Sequence, residues 1–351
     1  MFQSTGVAAF RYREYRIFWI AAAFSNVGIW ALIYGRLWLM HNLTDSQVML
    51  GLVTFANLGP ILLFSVWGGV ISDRVNRLIL VRITRGCFAI LALITAVLIF
   101  TETIEPWIVI FLAVVEGLLL SFDIPARGAM VATIVPKQHL ASAIALYSIV
   151  FGVGSVIGPS CFAPLVNLWG LQGLFFVVAA AYFATTISLM FMTTIGHRMK
   201  TQPVNPIQGL KEGLSYLRLN RPILGIILMG IFGGLVGFSY QTLIPVFADE
   251  IFLGGETTYG RLLFGSGIGG LAATLFIILV GSRVRPTVFL IISGIIFGLL
   301  LVLFSRTETL GLAIVILGFV GATRTIHQTM SHTLIQTNVL EEYRGRIMGV
   351  N

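Results

Sequence analysis

Runs of about 20 apolar residues recur from one end of this chain to the other, and about 20 helical residues is the length that crosses the hydrocarbon of a bilayer. Ten such runs can be marked, at residues 17–40, 48–72, 78–100, 107–126, 140–165, 171–194, 223–247, 260–281, 286–304 and 310–333. Lipid offers no water to pair an exposed backbone group, so only helices and closed barrels can span it. A barrel strand needs only about 10 residues of alternating polarity. These runs are longer and do not alternate, so the expected class is an all-α polytopic membrane protein. Composition agrees: 57% of the 351 residues are apolar and 10% are charged, against roughly a quarter charged in a soluble domain. The first run follows Arg11, Arg13 and Arg16. It is too long for a signal-peptide core and has no small-residue cleavage site, so it reads as a first span.

The charges set an orientation. With the N-terminus inside, all but four of the 22 Lys and Arg fall in or beside inner loops, Arg82 and Arg85 among them; the exceptions are Arg36, Arg261, Arg306 and Arg324. Outer loops hold Asp45, Glu102, Glu105, Asp249, Glu250, Glu256 and Glu308. This distribution follows the positive-inside rule. It absorbs nearly all of the net charge of +8, so no nucleic-acid partner is implied. The connections are short except for residues 196–222, which are basic and contain prolines. The expected organisation is a six-span bundle (1–195), a cytoplasmic linker (196–222) and a second bundle (223–351).

The chain repeats itself. EGLLLSFDIPARGAMVATIVP (116–136) ends the fourth span, and LGFVGATRTIHQTMSHTLIQT (317–337) ends the tenth. Setting Gly117 on Gly318 puts Ser121 on Ala322, Asp123 on Arg324 and Ile134 on Ile335. Parallel halves of this kind are a transporter architecture. By the same count the second half needs six spans. Four are present with the start of an eleventh at residues 346–351, and the last two helices are expected to follow Asn351.

Gly69, Asp73, Arg74 and Arg77 form G-x-x-x-D-R-x-x-R at the inner end of the second span. This resembles the loop signature of the major facilitator superfamily. FDIPAR (122–127), YQTLIPVFADEIF (240–252), YGRLLFGSGIGG (259–270) and EEYRGRIMG (341–349) are similar to one branch of it, the siderophore (enterobactin) exporters and macrolide-efflux proteins. The resemblance covers essentially the whole chain. The signature's usual glycine is Asn76 here, a residue suited to a positive-φ turn, and its next basic residue is Leu78. Gly69 is expected to let a neighbouring helix approach closely. Asp73 is expected to accept hydrogen bonds from a helix N-terminus, that of the eleventh span near Arg346, making an inner gate. The plainer reading is a charged loop that orients the chain. GVGSVIGPS (152–160) carries Gly154, Gly158 and Pro159 and resembles the superfamily's proton-antiporter signature, though Phe162 and Ala163 stand where glycines usually continue. Plain small-residue packing is the alternative.

Charged groups inside spans are expensive and mark function. Glu116 lies about 9 residues, or roughly 14 Å, into the fourth span, near the midplane. It suits a proton carrier, or else a hydrogen bond between helices. Asp123 and Arg127 follow on nearly the same face. Asp123 and Arg324 occupy equivalent places with opposite sign; they pair with one another or each serves its own half. Arg36, near the outer end of the first span, is expected to snorkel. GSGIGG (265–270) has the dinucleotide fingerprint but sits within a span with no strand before it, so helix packing explains it better. His327 and His332 are five apart with no third ligand, and no metal site is expected. Cys87 and Cys161 read as small core residues.

The resemblance implies a monomeric secondary transporter of the inner membrane, needing no cofactor. It would move a small amphipathic molecule, drug or siderophore-like, against protons by alternating access. Uptake by the same fold and a non-transporting sensor or scaffold are the alternatives. An enzyme would need nucleophiles and acids gathered at one depth, where the spans place Glu116.

Overall fold

The computed structural model describes residues 7–193, 215, 220–280 and 285–338. The chain divides into two compact units, Met1–Thr201 and Gln202–Asn351. Every regular element among the described residues is helical. Most of the expected linker, and the start of the expected eleventh span, lie outside the described residues.

In the first unit a short 3-10 turn, Ala8–Arg11, leads into α1, Arg13–Leu43. Then come α2, Gln47–Arg74, α3, Arg77–Phe100, and α4, Pro106–Ile134. The next stretch, Leu140–Met190, is broken by Gly170 at φ 69° and ψ 177°. A side chain disfavours positive φ and glycine does not, so this one residue makes the connection between α5 (140–169) and α6 (171–190). Helix starts follow local chemistry. Pro106 opens α4, where its missing N–H costs nothing. Asn76 caps α3: its side-chain oxygen accepts from the backbone N–H of Leu78 at 3.0 Å and of Ile79 at 3.3 Å. Its φ is −68°, so the turn after α2 uses Asn76 as an N-cap and not, as expected, as a left-handed residue.

The second unit holds α7, Arg221–Val246, which ends in a π turn at Phe247–Ile251, then α8, Gly255–Val280, α9, Pro286–Ser305, and α10, Leu310–Asn338. Among the described residues, eight helical stretches are long and apolar enough to cross a membrane, one of them running through the bend at Gly170. Several helices outrun their apolar spans. α4 continues from 126 to Ile134 because Arg127, where an apolar run stops, is buried and paired inside the unit.

The sequence repeat is a packing repeat. In the first unit α4 lies on α2 with almost no side chain between them: a Cβ on Gly117 would run into the carbonyl oxygen of Asn57, and one on Gly68 into that of Ser121. In the second unit α10 lies on α8 in the same way. A Cβ on Gly269 would meet the carbonyl oxygen of Gly318, the residue that aligns with Gly117. GSGIGG is thus a helix-packing stripe. Close approach through glycine is how helices gain van der Waals contact where lipid gives no hydrophobic drive.

A branched side chain at these crossings forces two backbones apart, an overpacking cost of about 1–3 kcal/mol or more. Gly117→Val and Gly269→Val are each expected to lower the thermal midpoint of the detergent-solubilised protein. Gly311→Val, where a Cβ meets no atom within 4 Å, is expected to leave it unchanged. Equal midpoints for all three contradict the packing.

Candidate functional site: paired charges buried in the first unit

Glu116 is 3% exposed and Arg36 is 7% exposed. They meet across α4 and α1, Arg36 Nη1 donating to Glu116 Oε2. The expectation that Arg36 snorkels is therefore corrected. A guanidinium turns inward when a carboxylate at its own depth offers a charge-assisted hydrogen bond that satisfies both buried charges. Asn57 of α2 adds a polar neighbour to the carboxylate. Glu116 Oε1 and Arg36 Nε have no hydrogen-bond partner among the described residues. A cavity of about 20 Å³ adjoins the pair, between Leu32, Thr95, Val109 and Phe175. That is room for about one water.

Two turns along α4 lies a second cluster. Asp123 is fully buried. Its Oδ1 accepts from the Thr84 hydroxyl at 2.8 Å; its Oδ2 accepts from Arg85 Nη2 at 2.5 Å and from Arg127 Nε at 2.6 Å. Arg127 Nη1 donates on to the Tyr147 hydroxyl of α5 at 2.7 Å. The Arg85 guanidinium also lies over the Phe88 and Tyr182 rings, 5.5 and 5.7 Å from their centres. Asp123 is thus satisfied by α3 and α4 of its own unit.

Arg85, expected in or beside an inner loop, is instead turned into the unit: it is 2% exposed and touches Asp123. Its position was readable. Arg77, Leu78, Val81, Thr84, Arg85 and Phe88 are all buried on α3, and they recur at the three-and-four spacing of one helix face. Two guanidinium groups on one carboxylate leave this cluster one positive charge in excess.

The remaining expected site residues are distributed as follows. At the signature, close approach belongs to Gly68; a Cβ on Gly69 meets nothing within 4 Å, which corrects the role expected of Gly69. Arg74 is exposed at the end of α2. Arg77 is buried, its Nη1 3.5 Å from the Ala129 carbonyl oxygen of α4. Asp73 lies in the last turn of α2; its side chain and the helix expected to meet it are outside the described residues. Gly154 and Gly158 face Asn26 and Trp30 of α1, where an added Cβ would crowd both, and Pro159 is buried beside them. Arg324, with His327, borders a cavity in the second unit.

Comparison with known proteins follows the same lines. The model of a family described as transmembrane secretion effectors matches residues 4–351. A staphyloferrin A transporter of Staphylococcus aureus (strain NCTC 8325 / PS 47) is 26% identical over 329 residues, 92% of this chain and 81% of that protein. Macrolide efflux protein A of Streptococcus pyogenes is 22% identical over 343 residues, covering 95% and 83%. The enterobactin exporter EntS of Escherichia coli O1:K1 / APEC is 24% identical over 315 residues, covering 88% and 73%. Among solved structures, a variant of the nucleoside transporter NupG and a D-xylose-proton symporter each superpose with a TM-score of 0.75 at 13% identity, over 96% of this chain and 86% and 85% of theirs.

Breaking a buried ion pair strands a charge and costs about 3–5 kcal/mol, whereas removing both partners often costs little. Arg36→Met and Glu116→Leu are each expected to lower the thermal midpoint markedly, and the double variant to recover most of the loss. Additive losses contradict the pairing.

Proposed function

Because the chain belongs to the transmembrane secretion effector family of the major facilitator superfamily, we propose that it exports an amphipathic small molecule in exchange for protons. It is a multi-pass membrane transporter and not an enzyme. The observation that carries the proton-coupled reading is Glu116: an acid closed inside the first unit, balanced by Arg36 of α1 and adjoining a cavity sized for water. While ionised, its carboxylate ties α4 to α1. A proton on Glu116 cancels that bond and strands the Arg36 charge in a medium that solvates it poorly. Protonation therefore has different energies in an arrangement that keeps the two helices paired and in one that parts them. A ligand can shift a conformational equilibrium only through such a difference. Transport would follow alternating access, the substrate site opening to each side of the membrane in turn.

The relatives' names, an efflux protein and an exporter among them, support the outward direction and a drug or siderophore-like cargo. The same reading places the protein in the inner membrane as a monomer, with the N-terminus and the linker at 196–222 cytoplasmic. Asp73, Arg74 and Arg77 would act at the inner gate, with Gly68 in place of Gly69 as the close-packing glycine. Asp123, Arg127 and the newly recognised Arg85 would hold α3, α4 and α5 together beside it. Arg324 is the corresponding charge of the second half.

Two experiments test this. In proteoliposomes carrying a pH gradient, a panel of hydrophobic drugs and of carboxylate and catecholate siderophores is expected to yield at least one substrate that moves uphill against proton flow. The double variant Arg36→Gln/Glu116→Gln, which strands no charge, is expected to fold and to exchange that substrate downhill while losing uphill accumulation. Uphill transport at the parent rate by the double variant removes Glu116 from coupling. In whole cells, single cysteines at Gln202 and Thr257 are expected to label oppositely with an impermeant thiol reagent, Thr257 reacting and Gln202 protected. Equal labelling contradicts the orientation.

A further inference from the structure

The second unit contains a histidine that neither the packing nor the proposed coupling uses. His327 of α10 has a protein acceptor at each ring nitrogen. Nδ1 lies 3.1 Å from the Leu290 carbonyl oxygen of α9, and Nε2 lies 3.3 Å from the Met229 carbonyl oxygen of α7. Carbonyls in a helix interior are normally screened by the side chain about one turn further on, which leans back over them. Here that screen is missing twice. The residue four places after Met229 is Gly233, and the residue four places after Leu290 is Gly294. A Cβ on Gly233 would stand 2.8 Å from Nε2, and one on Gly294 would stand 3.3 Å from Nδ1. Two helices have each given up a side chain where the imidazole enters.

Both acceptors are carbonyl oxygens and cannot donate. A neutral imidazole has one N–H and satisfies one of them; the imidazolium has two and satisfies both. We propose that His327 is a proton-binding site of the second unit, at which the imidazolium clamps α7 to α9 through α10 and the neutral ring releases one of the two helices. The proton comes from water and adds to the ring-nitrogen lone pair, and the new N–H donates to the second carbonyl. Its return to water reverses both steps. Imidazole is the side chain whose charge ordinarily changes between about pH 5 and 8.

Its surroundings allow exchange. His327 borders a cavity of about 260 Å³ shared with Met229, Gly233, Ile291, Gly294 and Arg324, where a water has the imidazole and the guanidinium to bond. Arg324, one turn back on α10, is the other charged or titratable group among the described residues that line this cavity. α7 and α9 face it with Met229, Gly233, Leu290 and Gly294, none of which titrates. α8 meets α10 through Gly265, Gly269 and Gly270, against Ile314, Gly318 and Thr325, and brings no titratable group to the slot. The inference is independent of the role proposed for Glu116, which lies in the other unit.

The test uses the full chain with isotope-labelled histidine in lipid nanodiscs, the His327 resonances being assigned by their loss in His327→Gln. Nitrogen NMR over a pH series is expected to find both ring nitrogens of His327 protonated at the acid end and one at the alkaline end. A ring that keeps one bare nitrogen throughout overturns the proposal. Spin labels at Leu228→Cys on α7 and Ile292→Cys on α9, both exposed positions, with Cys87 and Cys161 replaced by Ser, report the clamp. The inter-label distance is expected to change with the same midpoint as the ring. In His327→Gln, whose amide nitrogen offers two N–H bonds without titrating, it is expected to be independent of pH. A distance that ignores pH with His327 present, or follows it in His327→Gln, overturns the clamp.

Discussion

A carboxylate inside a bilayer-spanning bundle has nowhere to place its charge except on a guanidinium or another donor of the same bundle, and the first unit is arranged around that constraint. Glu116 takes Arg36 from α1; Asp123 takes Arg85 from α3 and Arg127 from its own helix. α4 carries both acids, and so α4 is the helix to which the others are tied. Glycine stripes bring α2 against an adjoining face of α4 through backbone contact. The two kinds of contact complement one another. The glycine crossings hold no ionisable group, while the ion pairs are made of them. On the proposed reading, a proton that cancels the Glu116–Arg36 pair loosens α4 from α1 and leaves its glycine crossing with α2 intact.

Much of this was legible in the chain. Apolar length announced a helical membrane protein, and the repeat around Gly117 and Gly318 is the same helix crossing seen twice. Partner choice was harder to read. Arg36 and Arg85 lie near the ends of apolar runs, where snorkelling or the positive-inside rule already explains a cation, and that sufficient explanation hid their pairing with Glu116 and Asp123. The buried face of α3 was the available signal for Arg85. Gly68 and Gly69 are adjacent, yet neighbours on a helix point about 100° apart; only the position of α4 decides which of them is pressed. Asn76 is suited both to left-handed turns and to N-caps, and the helix beginning at Arg77 selects the second use.

The two units share a crossing geometry and differ in their chemistry. The place of Asp123 in the first is taken by Arg324 in the second, and three residues on, Ala126 gives way to His327. The first unit buries an acid between cations, whereas the second presents cation and imidazole to an apolar cavity. A duplicated scaffold can divide labour in this way: conserving the glycines keeps the crossing, while single exchanges at the charged positions change what each half responds to.

The central claim is that Glu116 carries a proton in one state of the protein and balances Arg36 in another. Infrared difference spectroscopy on the reconstituted protein reads this directly, because a protonated carboxyl has a carbonyl band that a carboxylate lacks. The account predicts a carboxylic-acid band that appears on acidification, shifts when a transported substrate is added, and is absent from Glu116→Gln. A spectrum in which no such band depends on Glu116, at any pH at which the protein transports, would contradict it.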